Sequence, residues 1–243
     1  FIPDIPGLQT FNGIITHAQE YKKPDPFKNQ RVAVVGNAFS GCEIAAEIST
    51  KAGVVFHLFR SANWLYSRYL KSKDGRRTPF DLTTTRAGFE KRKEMSSSQL
   101  NEWNHRIFSA HCKKPIEICS DLTVLTPSDA PQYVATVSDL YMSQIQKKQI
   151  QTTVSSIKMI DQKGIHLSDG RFIEVDHVVF ATGYRLELPF FNEDMKKRLD
   201  LDVADPLQPL PLYKRVFHPD FPNMAFVGVA RLPIFFTMIE LQA

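Results

Sequence analysis

Cysteine is scarce: only Cys42, Cys112 and Cys119 occur in 243 residues, and they share no repeated spacing. An odd count of this kind excludes a disulfide framework and fits a reducing compartment. His111-Cys112 followed by Cys119 matches no standard zinc-ligand spacing, so no metal site is expected. Charge of one sign is also lacking. The 30 basic and 26 acidic residues leave a formal charge of +4, too weak a bias to argue for a nucleic-acid partner, although small anions remain suitable ligands. No apolar run approaches the roughly 18–20 residues that span a bilayer, and no signal peptide opens the chain. The expectation is a soluble, cytoplasmic protein without a transmembrane segment. Internal repeats and low-complexity segments are missing as well. There is no opening Met, and the chain stops soon after the apolar stretch Ile234-Phe235-Phe236-Thr237-Met238-Ile239, which reads as a piece of a longer polypeptide.

What is present is an ordinary globular composition, 43% hydrophobic and 23% charged, enough for one large or two small domains. Pro3, Pro6, Pro24 and Pro26 mark the opening thirty residues as an extended connector. The β-branched run Arg31-Val32-Ala33-Val34-Val35 predicts a strand, residues 36–41 a turn, and residues 42–51, with Ile44, Ala45 and Ile48 on one face, a helix. Val54-Val55-Phe56-His57-Leu58-Phe59 predicts a second buried strand, completing a βαβ unit. Residues 61–115 are basic and irregular, with Lys71, Lys73, Arg76, Arg77, Arg86, Lys91, Arg92 and Lys93, and read as surface loops and helices. Their charge suits either a solvated face or a phosphate-attracting rim. Ser138 predicts an N-cap for a helix over 139–148, followed by a strand over 150–154. Residues 164–175 read as a hairpin turning at Ser168-Asp169-Gly170, and residues 177–181 as another buried strand.

Gly36-Asn37-Ala38-Phe39-Ser40-Gly41 stands between strand and helix, where a dinucleotide fingerprint belongs. Gly36 permits the tight turn and Gly41 a close helix–strand approach, so the amides at the helix start can receive a pyrophosphate. Ala38 stands where Gly is expected, placing a methyl near the phosphate. A strand-to-helix turn without any ligand has the same spacing. The second strand ends in Phe59-Arg60-Ser61, whereas an NAD site usually places a carboxylate there for the ribose 2′-hydroxyl. A guanidinium can instead grip a 2′-phosphate with charge-assisted hydrogen bonds. Arg60 therefore favours NADP over NAD, with Arg68 a second candidate; an exposed arginine without function is the alternative. Ala181-Thr182-Gly183-Tyr184 ends a strand with small residues that let the backbone pass close beneath a ligand or another segment.

Taken together these residues resemble the flavin-containing monooxygenase family. Phe11-Asn12-Gly13-Ile14-Ile15-Thr16-His17-Ala18-Gln19-Glu20-Tyr21 is similar to its F-x-G-x-x-x-H-x-x-x-Y identifying motif. Ala181-Thr182-Gly183-Tyr184, Leu212-Tyr213-Lys214, and Asn223-Met224-Ala225-Phe226-Val227-Gly228 ahead of Glu240-Leu241-Gln242 resemble further signatures in the family order. The resemblance implies two nested dinucleotide folds, one for FAD and one for NADPH. It implies that NADPH reduces the flavin, that O2 forms a C4a-hydroperoxyflavin, and that oxygen passes to a soft nucleophile such as an amine nitrogen or a sulfide. His17 then belongs to an interdomain connector, with a structural or hinge role.

The first FAD fingerprint of that family is missing from these residues, so no catalytic residue can be carried over, and the chain by itself is expected to bind NADP(H) without oxygenating anything. The expected class is α/β: a Rossmann-like NADPH domain with a parallel sheet over 31–183, nested between a connector and edge of the FAD domain at 1–30 and an incomplete return segment at 184–243. Cofactor-binding candidates are Gly36, Asn37, Ala38, Phe39, Ser40, Gly41, Arg60, Ala181, Thr182 and Gly183. NADPH, O2 and a small nucleophilic substrate are the expected partners; a homodimer is left open. A Baeyer–Villiger enzyme is the nearest rival, but its motif commonly ends in Trp followed by Pro or Asp, where this chain has Tyr21-Lys22. A flavoprotein disulfide reductase would need a closely spaced cysteine pair. A nucleotide-binding remnant that senses or docks without turnover is the non-enzymatic alternative.

Overall fold

The computed structural model describes residues 1–71, 75–79, 95–96, 98–99, 102–103, 105–106, 117–123, 135–184, 188–202 and 210–228. The chain divides into two compact units, Phe1–Thr182 and Gly183–Ala243.

In the first unit the strands are β1 (Ile14–His17), β2 (Arg31–Val35), β3 (Val54–Phe59), β4 (Trp64–Tyr66), β5 (Tyr69–Lys71), β6 (Arg77–Pro79), β7 (Ala135–Val137), β8 (Ile150–Val154), β9 (Ile157–Ile160), β10 (Gly164–Leu167), β11 (Phe172–Glu174) and β12 (His177–Phe180). Helices α1 (Phe39–Ile48) and α2 (Asp139–Gln146) accompany them. Five strands form one parallel sheet in the order β1-β12-β2-β3-β8. Its central strands are apolar on both faces because both faces are covered. Along β2, Val32 and Val34 enter a core shared with Ile44, Ala45 and Ile48 of α1 and Tyr141 of α2. Ala33 points the other way, into a core with Ile160, Ile165 and Leu167 of the antiparallel sheet β11-β10-β9. The alternation follows the two-residue period of a strand, and each fully buried aliphatic side chain contributes about 1.5–3 kcal/mol.

The βαβ unit, the capped helix and the hairpin stand where the sequence puts them. Ser138 Oγ accepts the Tyr141 amide at 3.2 Å, and β10 pairs with β11 antiparallel. Two details differ. Helix α1 begins at Phe39, not residue 42, and ends at Ile48; Gly41, read as the last turn residue, lies in its first turn, where a missing side chain permits the close approach described below. Within 61–115, Trp64, Leu65 and Tyr66 are buried in β4, which pairs with β7. A three-residue apolar run whose partner lies far along the chain leaves no periodic signal. Lys73, Arg86, Lys91, Arg92 and Lys93 lie outside the described residues.

Residues 1–30 supply β1, and the identifying motif fastens it. Gly13 has no side chain where the Asp176 carbonyl oxygen and the Phe11 ring close in, and Ile14 donates its amide to that carbonyl at 3.1 Å. At the other end His17 Nδ1 accepts the Gln19 amide at 3.3 Å, Ala18 donates to the Phe180 carbonyl at 2.9 Å, and Tyr21 donates its hydroxyl to Glu47 of α1 at 3.0 Å. These contacts fit the structural role expected of His17.

In the second unit, Asn192 caps α3 (Glu193–Arg198) through its side chain. Phe191, Leu199, Phe221 and Phe226 form its core. Leu212-Tyr213-Lys214 leads into a tight turn with Lys214 and Arg215 at φ 50° and 61°, closed by the Tyr213 amide on the Phe217 carbonyl at 2.7 Å. Glu240-Leu241-Gln242 lies outside the described residues.

Candidate functional site

Three strand ends meet on one edge of the parallel sheet. Phe180, Val35 and Leu58 occupy one row across β12, β2 and β3. The next row is stitched by Ala181 donating to the Val35 carbonyl at 2.8 Å and Gly36 donating to the Leu58 carbonyl at 2.9 Å. The chain leaves β2 towards β3 on one side, while β12 joins on the other. Ligands of open α/β sheets bind at the carboxyl ends of strands at such a reversal.

Gly36 has φ +106°, and a Cβ there would stand 2.4 Å from the Ala181 carbonyl oxygen. At Gly41 a Cβ would stand 1.7 Å from the Gly36 carbonyl oxygen and 3.5 Å from the Ala181 methyl. The glycine turn and the Ala181-Thr182 segment are therefore packed backbone on backbone. Ala38 is the extended N-cap residue of α1 and offers no side-chain cap. Ala38, Phe39 and Ser40 are exposed. Among the described residues, the amides of Asn37, Ala38, Phe39 and Ser40 donate to no other group, which leaves the positive end of the helix free for an anion. Asn37 Nδ2 donates to the Ser61 carbonyl at 2.8 Å, tying the turn to the segment that carries Arg60. Arg60 is exposed, directly after β3. Thr182 donates its hydroxyl to the Phe1 carbonyl, and Gly183, exposed at φ +86°, opens the second unit. Arg68 is exposed between β4 and β5, its amide on Asp139 Oδ1 at 3.3 Å.

The structure adds a layer of side chains behind the turn that sequence reasoning missed. His57 of β3 is fully buried; its Nε2 lies 2.8 Å from the Gly36 carbonyl oxygen and its Nδ1 meets the Tyr141 hydroxyl. Burial pushes the His57 imidazole down to about 4, so the ring is neutral at pH 7. A carbonyl can only accept, so Nε2 carries the proton and Nδ1 accepts from Tyr141. The next carbonyl, of Asn37, accepts from the Cys42 thiol at 3.3 Å and receives longer contacts from Asn63 (3.4 Å) and Thr136 (3.5 Å). Burial pushes the Cys42 thiol well above its usual range, so it serves as a donor and not as a nucleophile. A histidine inside the otherwise apolar run 54–59 is the one signal that could have marked this layer.

A parallel sheet with helices on one face, a glycine turn, an uncapped helix start and an arginine after the second strand has the features of a Rossmann-type fold. Residues 2–243 match the family described as flavin-binding monooxygenase-like, and the chain belongs to that family. It is 30% identical over 238 residues to the N-oxide-forming dimethylaniline monooxygenase 4 of Mus musculus, covering 95% of this chain and 39% of that protein. It is likewise 30% identical to flavin-containing monooxygenase 2 of Homo sapiens, covering 100% of this chain and 43% of that one. The chain thus spans less than half the length of these relatives. Among solved structures, S-allyl-L-cysteine S-oxygenase from Allium sativum superposes with a TM-score of 0.54 at 20% identity, covering 100% of this chain and 37% of that one. A steroid monooxygenase bound to NADP gives 0.53 at 19%, covering 75% and 44%. At these identities the likeness is one of fold. Among the described residues no helix is long and apolar enough to cross a membrane, and no group of three or more His, Cys, Asp or Glu is placed to hold a metal ion.

Proposed function

We propose that the full-length protein is an NADPH- and FAD-dependent monooxygenase that places one atom of O2 on a soft nucleophile, an amine nitrogen or a sulfide sulfur. NADPH supplies two electrons, and the second oxygen atom leaves as water. The observation that carries this reading is the meeting of Gly36–Gly41, Arg60 and Ala181-Thr182 at three adjacent strand ends. These residues fit NADPH: both glycines stand where a Cβ would collide with backbone, the amides of Asn37, Ala38, Phe39 and Ser40 are free to hold a pyrophosphate, and Arg60 is exposed to a 2′-phosphate. In this reading residues 31–183, with β1 at the edge of their sheet, are the NADPH domain, and the rest of residues 1–30 and residues 184–243 join it to the flavin domain. When bound, the flavin supplies hydride acceptance and oxygen activation. This chain's own part is to hold and orient the nicotinamide nucleotide, and none of its residues is assigned a catalytic role.

Membership of the family supports monooxygenation, and the N-oxide-forming names of the relatives support nitrogen as an acceptor. The motif ending in Tyr21-Lys22 favours the same chemistry over Baeyer–Villiger insertion. The test supplies the full-length, flavin-loaded protein with NADPH, O2 and either a tertiary amine, a thioether or a cyclic ketone. The expected products are the N-oxide and the sulfoxide. A lactone from the ketone alone would make the enzyme a Baeyer–Villiger type, and nucleotide binding without any oxidation would leave a binding module.

A further inference from the structure

We infer that His57 and Tyr141 are positioning residues that aim the backbone amides of the glycine turn at the dinucleotide pyrophosphate. The inference rests on the reading that NADPH binds at this turn. It follows from peptide geometry. All peptide bonds in the described residues are trans, so the N–H of each points opposite to its C=O. His57 Nε2 draws the Gly36 carbonyl into the interior at 2.8 Å, which turns the Asn37 amide outward. The Asn37 carbonyl is drawn inward by Cys42 at 3.3 Å, with Asn63 and Thr136 behind it, which turns the Ala38 amide outward.

Left to itself the Gly36–Asn37 peptide can flip, because a flip changes only ψ of Gly36, which glycine leaves wide, and φ of Asn37, and Asn is among the residues that tolerate positive φ. The buried histidine removes that freedom at Gly36. It can do so only in one tautomer, and Tyr141 selects it: the phenol of α2 donates to Nδ1 and thereby leaves the proton on Nε2. Both side chains are fully buried, so packing holds the ring in place against the carbonyl. The pair thus links the second strand and the distant helix α2 to the geometry of an anion site that neither residue touches.

The test separates aim from fold by using ligands with and without the pyrophosphate. On the full-length, flavin-loaded protein, NADP+ and 2′-AMP are titrated against the parent, His57→Leu, His57→Gln and Tyr141→Phe. 2′-AMP reaches the Arg60 subsite but carries no pyrophosphate. Loss of one aligned donor should weaken NADP+ about three- to tenfold in His57→Leu, and by less in Tyr141→Phe, where the tautomer is freed but the ring stays. 2′-AMP should be unchanged in both. His57→Gln, whose side-chain amide can place a donor near the Nε2 position, should restore most of the NADP+ affinity. Equal weakening of both ligands, or no weakening of NADP+ in His57→Leu and Tyr141→Phe alike, would overturn the inference; Tyr141→Phe decides it if the position-57 variants do not fold. If the parent itself binds neither ligand, the site reading fails, a result distinct from either of these.

Discussion

One added carbon at position 41 would stand 1.7 Å from the Gly36 carbonyl oxygen, a distance no relaxation of a side chain can relieve, since both partners are backbone. Gly41→Val should therefore push the start of α1 away from β2 and spoil the amide array. NADP+ and NAD+ should weaken together, by tenfold or more on the order-of-magnitude scale of a lost anion contact, as read by titration of each nucleotide; unchanged affinities would remove the turn from the site. Gly36 and Gly41 were legible in the sequence because the turn between strand and helix leaves no room for a Cβ, and Arg60 was legible as a candidate from its place directly after the second strand. His57 was not: a histidine in an apolar strand gives no hint of its partner when that partner, Tyr141, lies on a helix far along the chain. Ala38 was legible as a departure from the fingerprint, and it stands exposed as the N-cap of α1 with no side chain competing for the free amides.

At the scale of elements, Asp176, just before β12, ties the start of β2 to the start of β12. Asp176 accepts the Arg31 amide at 2.8 Å and the Arg31 guanidinium at 2.6 Å, and Arg31 also meets Glu174 at 2.9 Å. The Arg31 guanidinium and amide hold the Asp176 carboxyl below its ordinary value. A depressed carboxylate stabilises the fold fully above its unfolded value, near 3.9, and the contribution is lost as pH falls through the lower folded value. Asp176→Asn should then lower the melting temperature by about 2–4 °C at pH 7, the effect of roughly 1 kcal/mol in a unit of this size after allowing for solvent screening. The gap between variant and parent should close as the pH is taken below the usual carboxylate range. Thermal melts over a pH series check this, and a gap that persists in acid would show that the charge is not what matters. Elements of this kind were legible where periodicity ran long enough, as in β2, α1, β3 and the β10–β11 hairpin. Strand β4 escaped because three residues carry no period, and β1 because its motif reads as a connector until its partner β12 is known.

At the scale of the molecule, three strand ends that are separated in sequence come to lie side by side, and in the proposed reading Arg60 is the residue there that distinguishes the phosphorylated cofactor. Only NADP(H) offers a dianion at the ribose 2′ position, so a charge-assisted contact from Arg60 should be worth about 1.5–3 kcal/mol to NADPH and almost nothing to NADH. The most direct measurement is a pair of titrations, NADPH and NADH, on the full-length protein and its Arg60→Ala variant. If Arg60 holds the 2′-phosphate, as the proposed reading has it, NADPH weakens by roughly ten- to a hundredfold while NADH is nearly unchanged. Equal weakening of both cofactors, or no change in either, would contradict it.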